Sequence, residues 1–193
     1  MYLLLPCSII AIALIIERLL FWREARRMVD SGEVDALLVE LRKGNASKIK
    51  ESGHRSHNPI VQALTSALTH GDQTLHDALE LEIDKTEQKT RAMLSGLATI
   101  VALAPLLGIF GTVTGIIQSF QLLGVTSIAD PQSVSGGIAQ ALITTATGLA
   151  IAMPTLIFHN AFSSMSDKFI FRMERYAREF EILYAQRGGR KDS

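Results

Sequence analysis

Apolar residues in this chain are gathered into three long runs, and between the runs the pattern changes to the three-and-four spacing of amphipathic helices. The first run covers Tyr2 to Ile16 and resumes after Glu17-Arg18 with Leu19-Leu20-Phe21-Trp22. The second covers Met93 to Leu122 and the third Val134 to Phe158, extending toward Phe162. A helix needs about 20 residues to cross a hydrocarbon core of about 30 Å, so each run is long enough to span a bilayer. From Ala92 to Ser166 the only Asp, Glu, Lys or Arg is Asp130. A soluble domain spreads charge over its surface, and a gap of this length is a bilayer signal.

The segments outside the runs read as helices with one apolar face. Val34, Leu37, Leu38 and Leu41 share a face of a short helix from Ser31, with Gly44 as its stop. Asn45 to His57 is polar and reads as a loop. Asn58-Pro59 then opens a helix, because asparagine caps and proline suits the first helical position. Val61, Leu64 and Leu68 form its apolar face and Gly71 ends it. Asp72 is the expected cap of the next helix, which has no breaker before Pro105 and is expected to enter the membrane uninterrupted. Asp72 to Leu122 would then measure about 75 Å, far more than the bilayer. The third run likewise continues through Met165, Phe169, Met173, Tyr176, Phe180 and Leu183. The polar tail begins at Gly188.

Charge fixes the expected topology. Arg18, Arg23, Arg26 and Arg27 follow the first run, and Lys168, Arg172, Arg175 and Arg178 follow the third. Basic flanks stay in the cytoplasm, which puts the N-terminus outside and the C-terminus inside. A cleaved signal peptide would carry its basic residues before the apolar run, so cleavage is not expected. The hairpin Gly124 to Ser133 has no basic residue and carries the turn pair Asp130-Pro131, as an external loop should. Phe21 and Trp22 suit the inner interface, and Glu17-Arg18 reads as an interfacial pair reaching toward headgroups. The division is therefore 1–22 first span, 23–92 cytoplasmic helical region, 93–123 second span, 124–133 periplasmic hairpin, 134–162 third span and 163–193 cytoplasmic helical tail. The fold class is an all-α membrane protein with two spans extended into a cytoplasmic helical bundle.

Composition narrows the chemistry. Nineteen basic and nineteen acidic residues give no net charge, which argues against a nucleic-acid binder. Cys7 is the single cysteine, so neither an intrachain disulfide nor a zinc motif is available. The histidines include one close pair, His54 and His57, in a polar stretch, which reads as solvated rather than metal-binding. No phosphate loop or nucleophile motif is present, so no enzyme, cofactor or metal is expected.

What remains is small and polar residues inside the spans. Ala104, Gly108, Gly111, Thr112, Gly115 and Ser119 line one face of the second span, and Gly137, Ala141, Thr144, Thr145, Gly148 and Ala152 one face of the third. Such faces let membrane helices approach closely, and Gly108, Gly111, Gly115, Gly137 and Gly148 are the packing candidates, expected also to hold copies of the chain together. Thr112, Thr145 and Gln140 could line a hydrated path or tie helices together; both readings stay open. The cores of these two spans contain no Asp, Glu, Lys, Arg or His. Hydroxyls and amides guide water but do not titrate near neutrality. A proton path here would need a carboxylate from another chain; the alternative is a membrane scaffold.

Two segments carry a family resemblance. Leu103-Ala-Pro-Leu-Leu-Gly-Ile-Phe-Gly-Thr-Val-Thr-Gly-Ile116 resembles the second-span signature of the ExbB/TolQ/MotA proton-channel family. Gly137-Ile-Ala-Gln-Ala-Leu-Ile-Thr-Thr-Ala-Thr-Gly-Leu-Ala-Ile-Ala-Met-Pro154 resembles its third-span signature, and Asn160 also fits. The resemblance implies a pentameric ring in a bacterial inner membrane, enclosing an ExbD- or TolR-like single-span partner whose membrane aspartate carries protons, with force passed to a TonB-like protein or the Tol–Pal system. It also implies that Thr112 and Thr145 face the interior near that aspartate. Many relatives have Glu where this chain has Gln140, so no acid role transfers there. MotA-type members have four spans, which makes flagellar drive the less apt reading; an ExbB-like role comes first and a TolQ-like role second.

Overall fold

A computed structural model describes residues 3–28, 31–43, 46–68, 74–125 and 131–188. These form seven helices, α1 (Leu4–Met28), α2 (Ser31–Lys43), α3 (Ala46–Arg55), α4 (Pro59–Ala67), α5 (Leu75–Arg91), α6 (Leu94–Val125) and α7 (Pro131–Gly188), with no strand among the described residues. Three stretches, Leu4–Ala25, Leu75–Gln121 and Val134–Gln186, contain windows long and apolar enough to cross a membrane. The chain divides into two units, residues 1–19 with 93–163 and residues 20–92 with 164–193.

In the first unit one core cluster holds three alanines. Ala11, Ile100, Ala104 and Ala152 are buried together, with Leu14 and Ile151 packed on them. Alanines at the contact allow the helix backbones to come close, which is how helices associate where lipid is as apolar as the side chains. Large apolar residues such as Leu106, Phe110 and Met153 point outward, the inverse of a soluble bundle. Arg18 departs from expectation. Its side chain is 4% exposed, against 47% for Glu17. Arg18 Nε and Nη2 grip the two carboxylate oxygens of Glu17 at 2.6 and 2.7 Å. A two-pronged charge-assisted pair lets the guanidinium be buried instead of reaching outward.

The second unit has the larger side chains. Trp22 is buried, edge-on to both Phe21 and Phe169. Among the described residues its indole N–H has no hydrogen-bond partner. Trp22 is therefore part of this unit's core. Val34, Leu37, Leu38 and Leu41 are buried on α2, as the spacing requires. Residues 46–55 are helical and not a loop. The reason is tertiary: the one large apolar residue, Ile49, is fully buried, and Gly53 lies so close to Thr65 of α4 that a Cβ there would collide with it. A short polar helix of this kind is held by packing, which local sequence does not report.

α4 begins as expected. Asn58 is buried in an extended conformation, and its Oδ1 accepts from the Ile60 N–H at 3.0 Å, with Pro59 in the first turn. Asn58→Ala is expected to cost about 1 kcal/mol, and Asn58→Asp to retain most of it, in thermal unfolding followed by circular dichroism. Equal melting of Asn58→Ala and the parent would show that the cap contributes nothing. α4 ends at Ala67, while Gly71 and Asp72 lie outside the described residues. The cap of α5 is Thr74, whose hydroxyl accepts from the Asp77 N–H at 3.3 Å.

The expected uninterrupted helix is broken at Ala92–Met93. Ala92, at φ −52° and ψ 145°, leaves the helical region, and Met93 has φ 64°, a left-handed conformation costly for a residue with a side chain. No glycine or proline marks the site. Contacts to α7 fix the end of α5 instead. The Ser166 hydroxyl donates to Thr90 Oγ1 at 2.8 Å, both residues buried, and Arg91 binds Glu87 and Asp167. Farther along, His76 Nδ1 meets Glu181 at 3.2 Å. That carboxylate raises the imidazole pKa above its ordinary value, so the contact is strongest in acid and is lost as pH rises through the raised pKa.

α7 is a single helix of 58 residues. Phe162 is buried in the first unit, and Phe169, Met173, Tyr176 and Phe180 are buried in the second. Asp130 of the hairpin and the tail beyond Gly188 lie outside the described residues.

Candidate functional site

The small faces of α6 and α7 meet within the first unit of one chain. A Cβ on Gly108 would lie 3.0 Å from Thr144 O and from Thr145 Cα. On Gly111 it would lie 2.6 Å from Thr144 Oγ1, on Gly115 2.8 Å from Ala141 Cβ, and on Gly148 2.5 Å from Ala104 O. On Gly137 it would collide with the Ser119 hydroxyl. All five glycines therefore sit where α6 and α7 of the same chain touch, and the contact runs the length of the small-residue stripe.

At its middle the hydroxyls cluster. Thr112 Oγ1 and Thr145 Oγ1 are hydrogen-bonded to each other, and both residues are half-buried. Thr112 donates to Gly108 O at 3.0 Å, Thr144 to the same oxygen at 3.1 Å and Thr145 to it at 3.2 Å. Thr144 also reaches Ala141 O at 2.7 Å. A carbonyl oxygen has two lone pairs, so three hydroxyls within reach cannot all donate to it at once. The absence of a side chain on Gly108 is what admits them. Thr112 and Thr145 can therefore exchange donor and acceptor roles by turning their O–H bonds. Such a pair can accept from a protonated acid or donate to an ionised one without moving a heavy atom.

Gln140 is exposed on α7. Two members of the polar set were harder to foresee. Thr144 is buried, and its role follows from its facing Gly108 and Gly111, which a single helical wheel does not show. Ser119 fills the space opposite Gly137 while bonding its own backbone at Gly115 O, 2.9 Å. Other span hydroxyls are satisfied locally: Thr99 by Ser95 O, Thr114 by Phe110 O and Thr147 by Ile143 O. Among the described residues no three His, Cys, Asp or Glu side chains gather as a metal site would require.

Comparison with known proteins follows the same residues. Positions 53–175 match the MotA/TolQ/ExbB proton channel family. A putative biopolymer transport protein, ExbB-like 3, of a Synechocystis strain is 31% identical over 191 residues, covering 96% of this chain and 85% of that protein. The Tol-Pal system protein TolQ of Pseudomonas aeruginosa is 42% identical over 106 residues, covering 55% of this chain and 46% of TolQ. The biopolymer transport protein ExbB of Xanthomonas campestris is 32% identical over 108 residues, covering 56% and 43%. The chain thus spans less than half the length of these last two relatives.

Proposed function

Because this chain belongs to the MotA/TolQ/ExbB proton channel family, we propose that it is the channel-forming subunit of an ExbB-like motor driven by the proton-motive force across a bacterial inner membrane. The observation that carries this reading is the Thr112–Thr145 hydroxyl pair seated on the Gly108 carbonyl, inside two spans whose cores hold no titratable side chain. Hydroxyls that can reverse their polarity will solvate a carboxyl in either protonation state. They cannot store the proton themselves, because an alcohol does not titrate near neutrality. The storing group therefore comes from a second polypeptide, an ExbD- or TolR-like protein with one span and a membrane carboxylate. Several copies of this chain, five in the simplest reading, surround it with the N-terminus periplasmic and the C-terminus cytoplasmic. The work is delivered to a TonB-like protein that energises outer-membrane transport.

A Tol–Pal role is the second reading. It is favoured by the 42% identity to TolQ over the matched segment. Deletion separates the two, since loss of receptor-mediated uptake with an intact envelope supports the first and envelope leakage with normal uptake the second. The broader reading is tested by proton flux into liposomes that contain the chain alone or together with an ExbD-like single-span partner, followed with a pH-sensitive dye. Flux is expected only with the partner. Comparable flux from the chain alone would refute the borrowed carboxylate. A stable joint complex that passes no protons would leave a membrane scaffold.

A further inference from the structure

Between Ala92 and Ser166 the sequence holds two titratable side chains, Asp130 in the hairpin and His159 near the other end of the third span. His159 lies on α7 within the first unit and is half-buried. It continues the small-residue stripe. Ala141, Thr144, Gly148, Ala152 and Thr155 recur at steps of three and four, and His159 is the next step. Ala141, Thr144, Ala152 and Thr155 are buried, and the fit of Gly148 against Ala104 and of Gly111 against Thr144 shows that this is the face α7 turns to α6. From Thr145 to His159 is about 21 Å along the helix axis and about 40° around it. Thr112, Thr145 and His159 are each half-buried, so all three keep an accessible edge on this seam.

The imidazole is held by its neighbour. His159 Nδ1 lies 3.3 Å from Asn160 Oδ1. An amide oxygen accepts and does not donate, so Nδ1 carries the proton of this bond, and Nε2 is the nitrogen at which the ring gains and loses a second one. The hydroxyls between this ring and Thr145 are engaged differently. Thr147 donates to Ile143 O and Thr155 to Ile151 O, both at 2.7 Å and both on their own helix. They can accept from water but do not change charge. Among the described residues of this unit the charged side chains are Glu17 and Arg18 of α1, which bind each other, and α6 has none. On α7 the next charged residue is Asp167, bound to Arg91.

We propose that His159 is the relay that takes protons from the companion chain's carboxyl toward the cytoplasm. The proposal deepens the reading under Proposed function and rests on it, topology included. In that reading a carboxyl stores the proton beside Thr112 and Thr145, and it must then lose the proton on the cytoplasmic side. The proton leaves the carboxylic acid along water at the accessible edge of the seam. Nε2 accepts it and the ring becomes an imidazolium, whose Nε2–H then gives the proton to cytoplasmic water. Carboxylate and neutral ring are regenerated, so one proton crosses and nothing is oxidised or reduced. Histidine suits this step because its charge changes between about pH 5 and 8, so it can release what it accepts. The bond to Asn160 fixes the tautomer that leaves Nε2 basic.

The test uses the full chain reconstituted with an ExbD-like partner in liposomes, with dye-reported flux driven by a fixed potassium potential at equal pH on both sides. His159→Gln keeps a polar side chain that cannot titrate, and His159→Ala leaves room for free imidazole. Both are expected to lower flux per intact complex about tenfold, less than the hundredfold or more that a general base can supply, because water still bridges part of the path. Imidazole in the buffer is expected to raise the flux of His159→Ala several-fold and not that of Thr112→Val with Thr145→Val, where the block lies at the carboxyl. The parent is expected to lose flux as pH falls from about 8 to 5, since a ring that stays charged cannot accept, and His159→Gln is expected to lack that fall. Parental flux in both variants overturns the relay. A loss that imidazole leaves unrelieved, with the pH profile of His159→Gln still parental, overturns it equally, because it marks a packing role. A parent complex that passes no protons overturns the reading beneath it.

Discussion

Gly148→Leu is expected to abolish folded, assembled protein, whereas Gly136→Leu on the same helix leaves it near the parental level. The difference is set by what each new side chain meets. A Cβ at Gly148 would lie 2.5 Å from Ala104 O and 3.2 Å from Gly108 Cα, both backbone atoms of α6 that no rotamer change can move. Nothing lies within 4 Å of a Cβ at Gly136. Alanine at 148 should already cost about 1–3 kcal/mol, the usual range for overpacking a filled contact, and leucine more, because α6 must move bodily away from α7. At Gly136 alanine is expected to be neutral or to gain up to about 1 kcal/mol in helix propensity. Detergent-solubilised variants carrying a fluorescent tag would show this by size-exclusion profile and melting temperature. Matching profiles for Gly148→Leu and Gly136→Leu would mean that the α6–α7 contact does not limit folding.

This result bears on how the glycine faces should be understood. The spacing of Gly108, Gly111, Gly115, Gly137 and Gly148 is expected to hold copies of the chain together, as small faces in membranes do. In the structure the same five glycines are spent on the contact between α6 and α7 of one chain. Loss of the ring in Gly148→Leu would then follow from loss of the single-chain contact, and reduced helix content in the dissociated protein would reveal it.

The spans were readable from sequence because a bilayer imposes one rule over many residues: charge is excluded for the length of a helix. The cap at Asn58 was readable for a local reason, since asparagine followed by proline has few other uses. What escaped depended on distant neighbours. The helical state of 46–55 comes from Ile49 and from the close fit of Gly53 against Thr65. The break at Met93 is fixed by contacts of Thr90 and Arg91 with Ser166 and Asp167, more than seventy residues away in the chain. The burial of Arg18 depends on a Glu17 carboxylate presented in two-pronged geometry, not on the residue type. At the candidate site, Thr112 and Thr145 could be named from the motifs they lie in. Their meeting at the Gly108 carbonyl needs the crossing of two helices, and no pattern along either helix specifies where that crossing falls.

The double variant Thr112→Val with Thr145→Val is expected to assemble normally and to lose proton flux with the partner present by roughly ten- to a hundredfold. Valine keeps the branched shape, so the packing of α6 on α7 is retained. Each change removes one hydroxyl that can both donate and accept. If the pair solvates a carboxyl as its charge appears and disappears, the barrier rises by the worth of a hydrogen bond to a charged group, about 1.5–3 kcal/mol. Thr112→Ser with Thr145→Ser restores both hydroxyls and should recover most of the flux. Thr99→Val, which removes a hydroxyl bonded to Ser95 O of its own helix, should leave it unchanged. Single valine variants are expected to fall between, because the remaining hydroxyl still reaches Gly108 O and can still turn toward the acid. The readout is dye-reported flux in liposomes, normalised to the amount of intact complex, which separates conduction from assembly. Full flux from the double valine variant, with the complex intact, would reduce the Thr112–Thr145 pair to a packing contact and leave the carboxyl to be hydrated by water alone.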